Sequence, residues 1–173
     1  MRLIIILLLL STSNLICQEI IRINSEKSSV SYSGNHFLHK WSAENKNING
    51  IVQVNDQSIL NIGAVAKVSD FKSGNSSLDS NSFRVLEALK FPNIIFKSTS
   101  INEIDDKITI NGLIEFHGIE KSISLLANIV EVEGFTQLTG NFVLKLSEFL
   151  IERPSLLLRK IDDEISISFN VTY

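Results

Sequence analysis

The chain has 173 residues, 44% of them hydrophobic, which predicts one domain with a core of its own. Its net charge of -3, from 16 basic and 19 acidic residues, argues against a nucleic-acid partner, because phosphate binding requires a basic face. Eight Gly and two Pro exclude a collagen-like or linker-rich architecture.

The N-terminal segment has the pattern of an export signal. Arg2 supplies a positive charge, residues 3–10 are all Leu or Ile, and polar residues follow. Crossing a membrane takes about 20 apolar residues, and this run is less than half as long. The pattern therefore predicts a secretory signal peptide over residues 1–17.

Two other fates of this segment stay open. Cys17 stands where a lipid-modified cysteine would stand, although Ile16 precedes it and the lipoprotein peptidase expects a small residue there. In the second alternative, the segment is not cleaved and stays as a membrane anchor. We expect cleavage, an exported protein in the periplasm or outside the cell, and a mature domain at 18–173 without cysteine.

From Ser29 onward the dominant hydrophobic period is two. In the last segment, for example, Ile165 and Ile167 alternate with Ser166 and Ser168. Such one-sided alternation is typical of an antiparallel sheet with one buried face. It gives about eight strands, of which the first two are compatible with one bent strand, at 19–24, 28–34, 48–55, 58–69, 93–102, 107–116, 121–132, 135–147 and 161–172.

The turns between these segments are short. Asp105–Asp106, Glu133–Gly134 and Asn49–Gly50 are dipeptides of the kind that closes hairpins. Long strands joined by short hairpins favour an antiparallel sheet closed into a barrel, because closure removes exposed edges. A two-sheet sandwich is the alternative architecture.

One segment departs from the period of two. Its apolar residues recur at steps of three, at Phe83, Leu86 and Leu89. Asp79 or Ser80 is available as an N-cap, and Pro92 stops the chain just beyond. We expect a short helix over about 79–90 that lies against one mouth of the barrel.

Catalytic motifs are absent from the sequence. It contains no G-x-S-x-G nucleophile elbow and no Gly-rich phosphate loop. His36 and His39 form an H-x-x-H pair to which His117 would have to add a third ligand, so a metal-dependent enzyme is a rival hypothesis. We expect no cofactor and no enzymatic activity.

The interior of the barrel is then the candidate site. A barrel of about eight strands is either filled by its own side chains or holds one small ligand. Strand alternation and the helix stripe give the residues expected at the lumen and its mouth, namely Trp41, Phe71, Phe83, Leu86, Leu89, Phe96 and Phe142.

Four stretches together resemble a known family. They are residues 29–42, which include Trp41, then 87–96 with the sequence EALKFPNIIF, 110–121 with INGLIEFHGIEK, and 146–165. In this order they are similar to the YceI-like, polyisoprenoid-binding family, in its Bacteroidota-type branch. The likeness runs over nearly the whole mature chain.

The resemblance implies an exported, lipocalin-like antiparallel β-barrel with an elongated apolar pocket for an isoprenoid or another long-chain amphiphile. It also makes Arg153 a candidate contact for an anionic head group, with pairing to Glu152 as the alternative. Members of this branch often carry His near the start of the helix, where this chain has Asn81 or Ser82.

We therefore expect a non-catalytic, exported carrier of a lipid-like molecule. The alternative is a structural or interaction β-barrel of the cell envelope with a filled core and no ligand. The sequence leaves open an envelope partner that receives the ligand, and a homodimer.

Overall fold

The structure is a computed structural model that describes residues 18–36, 39–55, 58–156 and 158–173. The strands of this part of the chain are β1 (Glu19–Arg22), β2 (Ser29–His36), β3 (His39–Asn45), β4 (Ile48–Asn55), β5 (Ser58–Lys67), β6 (Asn93–Ile104), β7 (Lys107–Phe116), β8 (Ile119–Val132), β9 (Phe135–Lys145), β10 (Ser155–Leu156), β11 (Arg159–Lys160) and β12 (Glu164–Thr172). Helix α1 (Ser76–Val85) lies between β5 and β6, and 3-10 turns follow β5 and β9.

Within the described residues, ten strands form one strongly curled antiparallel sheet in the order β1-β4-β5-β6-β7-β8-β9-β12-β2-β3. Strands β10 and β11 form a separate hairpin. The all-β antiparallel fold with a short helix, which the sequence predicted, is confirmed. Each described helix is too short or too polar to cross a membrane.

Hydrogen bonds tie the two ends of the curled sheet together. The Asn24 amide donates to the Thr172 carbonyl over 2.8 Å, which joins the chain beyond β1 to β12. At the other edge, the side-chain amide of buried Asn45 donates to the Lys67 carbonyl over 3.0 Å and so joins β3 to β5. Each bond therefore links one edge of the sheet to a strand near the other edge.

The inner face of the sheet carries the core, as the alternation predicted. Ile108, Ile110 and Ile114 of β7 are buried, and so is Phe116. Glu115, which lies between Ile114 and Phe116, is exposed. The buried residues fall into two hydrophobic clusters, one around Ile108 and the other around Phe116. Four partly buried residues pack against both clusters, namely Tyr32, Ile94, Ile123 and Phe142.

The structure differs from the predicted strands at β3, at Asn49–Gly50 and at the β10–β11 hairpin, which was not predicted. β3 was not predicted, because its short sequence HKWSAEN is mostly polar and shows little alternation. Asn49 and Gly50 do not form a turn but lie inside β4, opposite Val65 and Ala64 of β5. The first two strands are separate, since they pair with β4 and β12 respectively.

Helix α1 begins and ends earlier than predicted. Its N-cap is Asn75, whose side-chain oxygen accepts the amides of Ser77 and Leu78 over 3.0 and 3.1 Å. Asp79, which the sequence offered as a cap, accepts the Ser73 amide instead. The helix ends at Val85, and the chain then turns through residue 87 in the left-handed region.

Candidate ligand cavity

A cavity of about 420 Å³ lies inside the curled sheet. Its wall is formed by Val30, Tyr32, Trp41, Ile48, Ile62, Ala64, Val65, Ala66, Phe71, Leu78, Asn81, Ser82, Val85, Leu86, Ile94, Phe96, Ile110, Ile114, Phe116, Ile123, Leu125, Leu138, Phe142, Leu144, Leu146, Ile151, Pro154, Ser155, Ile161, Ile165, Ile167, Phe169 and Val171. Among these described residues there is no Asp, Glu, His, Lys, Arg or Cys. The volume lies within the range of about 300–1,000 Å³ that is usual for small-molecule sites.

The position of the cavity explains why central residues are only half-buried. Tyr32, Ile94, Ile123 and Phe142 pack against both core clusters, yet none of them is fully buried. All four line the cavity. Part of the exposed area of these four side chains therefore faces the cavity.

Helix α1 forms one side of the mouth. Leu78, Asn81, Ser82 and Val85 line the cavity at the i, i+3, i+4, i+7 spacing of one helix face. All four side chains are half-buried. This face brings a side-chain amide and a hydroxyl to a wall that is otherwise apolar.

The opposite side of the mouth is formed by the chain between β9 and β12. Ile151, Pro154 and Ile161 of this segment line the cavity. Its path is fixed by Asp163, which accepts the backbone amide of Ser147 over 2.9 Å and also its hydroxyl. These bonds hold the pKa of Asp163 below its ordinary value.

Tyr32 is the titratable group on the described wall. Its ring makes an edge contact with Trp41, with centroids 5.5 Å apart, and a tilted contact with Phe71 at 5.3 Å. Burial raises the pKa of the Tyr32 phenol above its ordinary value, while a hydrogen bond with Ser82 acts in the opposite direction. The phenol and Ser82 thus form a small polar group at the mouth, and Asn81, whose side-chain oxygen accepts a hydrogen bond from the Arg84 guanidinium over 2.7 Å, precedes Ser82 on α1.

The chain has two tyrosines, and we expect neither to ionise at the usual pH of 10. Burial also raises the pKa of Tyr173, to about 12. A raised folded-state pKa contributes stability that is complete below pH 10 and is lost as the pH rises toward 12. Ultraviolet titration of the native parent chain should show both tyrosines ionising above pH 10, and Tyr173→Phe should keep only the transition of Tyr32. In denaturant both tyrosines should ionise near the ordinary tyrosine pKa of 10. A tyrosine that ionises near pH 10 in the native protein would contradict the burial of its phenol.

The rings of two large inward aromatics lie over glycines of the neighbouring strand. A Cβ atom at Gly34 would lie 2.3 Å from the indole of Trp41, its partner in β3. A Cβ atom at Gly112 would lie 2.6 Å from the ring of Phe96. Glycine at these positions is therefore what allows both rings to occupy the wall.

The structure places five of the eight predicted site residues on the wall, namely Trp41, Phe71, Leu86, Phe96 and Phe142. Whether they bind a ligand stays a prediction. Sequence analysis did not find Tyr32, Asn81 and Ser82. Tyr32 had a signal, because it shares one strand face with Val30 and alternates with the small polar residues Ser31 and Ser33.

The other three predicted residues are not on the wall. Phe83 packs under the ammonium group of Lys72, 5.1 Å from its ring centre, and Leu89 is fully exposed beyond the end of α1. The helix face toward the cavity carries Ser82, and Phe83 is turned about 100° away from it. Leu89 lies beyond Val85, the last residue of α1, so the helical spacing does not extend to it.

Arg153 has partners within its own segment. Its guanidinium donates to the Ile161 carbonyl over 3.2 Å and lies 3.7 Å from the Asp163 carboxylate. The predicted pairing with Glu152 is replaced by pairing with Asp163. The neighbouring Pro154, not Arg153, lines the cavity.

The metal-site hypothesis gains no support from His117. One ring nitrogen lies 2.9 Å from the Phe149 carbonyl and the other 2.9 Å from the Glu87 carboxylate, so both are engaged. Among the described residues there is no group of three or more His, Cys, Asp or Glu that could hold a metal ion. The side chains of His36 and His39 lie outside the described part.

A curled antiparallel sheet around an apolar cavity agrees with what the sequence resembles. The model of the YceI-like domain matches residues 22–173. The chain belongs to the YceI-like family. No curated protein matches it.

Solved structures of YceI-like and related proteins share this fold. BcnA of Burkholderia cenocepacia superposes with a TM-score of 0.79 at 16% identity, over 87% of this chain and 99% of that one. A polyisoprenoid-binding domain from Saccharophagus degradans, implicated in plant cell wall breakdown, gives 0.73 at 10% identity, over 91% and 98%. The Campylobacter jejuni YceI protein gives 0.63 at 20% identity, over 74% and 81%. At these identities the likeness shows the fold alone.

Proposed function

We propose that this YceI-like protein is a non-catalytic carrier that holds a long apolar amphiphile, an isoprenoid or a similar lipid, inside the curled sheet. The observation that carries the proposal is the apolar cavity of about 420 Å³. Family membership supports it, and so does the relative from Saccharophagus degradans, whose name records polyisoprenoid binding.

The size of the cavity favours a ligand over a filled core. The side chains that line an empty space of about 420 Å³ lose the van der Waals contacts that a packed core would give them. Water would find few partners on such a wall. An apolar chain regains the lost contacts, which supports the carrier hypothesis.

The distribution of polar groups on the wall supports one orientation of an amphiphile. The apolar tail fits the part lined by Ile48, Ile110 and Leu138, which belong to the cluster farther from α1. A polar head group fits at the mouth, where Tyr32, Asn81 and Ser82 offer hydroxyl and amide groups. The described residues of the wall include no charged acid or base.

Native mass spectrometry of the purified chain, followed by organic extraction, tests the proposal. We expect one lipid-like molecule per chain, lost on extraction and regained when the extract is added back. A chain that carries no lipid and takes none up from a mixture of isoprenoids and phospholipids would support the filled, structural barrel instead.

We also propose that the carrier works outside the cytoplasm, in the periplasm or secreted. The support is the basic residue and apolar run within 1–17, together with a mature domain that lacks cysteine. The mass of the protein recovered from the cell envelope checks this. We expect a chain beginning at Gln18, whereas a lipid-modified chain beginning at Cys17 or an uncleaved chain would overturn that cleavage site.

A further inference from the structure

Three leucines project into solvent from the loops around the mouth. Leu89 and Leu158 are 103% and 102% exposed, and Leu150 is 78% exposed. The fold gains nothing from an apolar side chain in that state. By contrast, the leucine on the outer wall, Leu126, is 59% exposed.

Hydrogen bonds bring the loops of Leu89 and Leu150 to the same end of the sheet. The Glu87 carboxylate and the Phe149 carbonyl each lie 2.9 Å from a ring nitrogen of His117. These two residues are near neighbours of Leu89 and Leu150 in the chain. The loop after α1 is therefore fastened to the loop after β9.

Leu158 lies on the β10–β11 hairpin at the same mouth. The base of this hairpin is closed by the Ile161 amide, which donates to the Pro154 carbonyl over 3.1 Å. Both of these residues line the cavity. The hairpin thus runs from the cavity rim to an exposed leucine at its turn.

Basic residues directly follow two of these leucines in the sequence. Lys90 follows Leu89, and Arg159 and Lys160 follow Leu158. All three basic residues are exposed, but Lys90 lies 4.0 Å from the Glu87 carboxylate, and exposed Glu148 and Glu152 flank Leu150. The basic character of this end therefore rests on Arg159 and Lys160 beside Leu158. Exposed leucine beside Lys or Arg is the combination by which peripheral segments bind the interface of a bilayer that contains anionic lipid.

We propose that the loops carrying Leu89, Leu150 and Leu158 dock this end of the protein on the surface of a phospholipid bilayer, with Arg159 and Lys160 facing anionic head groups. This inference rests on the proposed function, because docking there would place the mouth of the cavity against the source or destination of its lipid. Leucine insertion would supply most of the affinity, and the basic residues a part that salt screens.

Sedimentation with vesicles tests the docking. Vesicles of equal parts phosphatidylcholine and phosphatidylglycerol are compared with vesicles of pure phosphatidylcholine. We expect Leu158→Ser and Leu89→Ser each to lower the partition coefficient about tenfold. Leu126→Ser is the matched control on the outer wall of the sheet and should bind like the parent chain. All three sites are exposed, so folding should be unaffected.

A second comparison isolates the charge. Arg159→Gln with Lys160→Gln should lower binding to the anionic vesicles by about tenfold or more, leave binding to phosphatidylcholine unchanged and reduce the salt dependence. Equal losses from Leu126→Ser and Leu158→Ser, or a parent chain that sediments with neither vesicle, would overturn the docking proposal.

The docking assay and the extraction assay fail independently. A chain that carries extractable lipid but does not sediment with vesicles retains the proposed function and loses the docking. A chain without lipid that still docks through Leu158 loses the carrier function and retains a membrane-binding surface.

Discussion

Filling the cavity at Ala64 should abolish lipid binding and at the same time stabilise the lipid-free protein. Ala64 is a small, half-buried residue on the wall, opposite Phe96 of β6. An indole there would occupy space that the lipid-free chain leaves empty. We expect Ala64→Trp to lose at least 90%, roughly tenfold, of the bound lipid.

The melting temperature of the lipid-free form distinguishes a carrier with an open cavity from a barrel with a filled core, because the Ala64 substitutions should raise it in the first case and lower it in the second. In a real cavity each Å³ filled returns about 24 cal/mol, so the series Ala64→Leu, Ala64→Phe and Ala64→Trp should raise the melting temperature of extracted protein stepwise. In an already filled core the same series would overpack and cost about 1–3 kcal/mol. Differential scanning calorimetry before and after extraction measures both effects.

The lipid-loaded forms complete this test. A ligand that binds the folded state stabilises it by about 2.7 kcal/mol at a concentration of 100 Kd, so the parent chain should melt higher when it is loaded. The variant Ala64→Trp should show no such increase. Leu126→Trp, which places the same indole on the outer wall, should still melt at a higher temperature when it is loaded with lipid. A loaded Ala64→Trp that melts as much higher as the parent would place the lipid elsewhere.

Much of the sheet was predictable because one-sided burial leaves a period of two in the sequence. Ile108 and Ile110 were expected on the inner face, and both are buried in the structure. β3 left no such trace, because its inward residues Trp41, Ala43 and Asn45 differ in size and polarity. The sequence of a strand shows alternation only where its inward side chains are all similarly apolar.

The mouth was predicted less well, because the orientation of a helix depends on where it begins. The cap at Asn75 starts α1 before Asp79, and the face toward the cavity is then Leu78, Ser82 and Val85. Apolar spacing alone selected Phe83 and Leu89 instead. The volume of the cavity could not be predicted either, since the same composition would also fill a solid core.

Removing the Phe149 ring should produce the largest loss of stability among the variants considered. Phe149 is only 1% exposed, and its ring centre lies 5.3 Å from that of Phe116 in the cluster beneath the mouth. Replacing such a residue by Ala costs about 3–5 kcal/mol, and each kcal/mol lowers the melting temperature of a chain of this size by about 2–4 °C. We expect Phe149→Ala to melt roughly 10 °C or more below the parent.

Phe83→Ala is the matched control, because Phe83 is the same residue type on the outer side of the mouth. It would lose a partly exposed contact with Lys72, which is worth about 0.5–1 kcal/mol, so its melting temperature should fall by only a few degrees. Neither ring is on the cavity wall, and any Phe149→Ala protein that folds should still bind lipid. Equal destabilisation by the two variants would mean that Phe83, and not Phe149 alone, is buried in the core, and would contradict the orientation of α1 on which the polar mouth of the cavity depends.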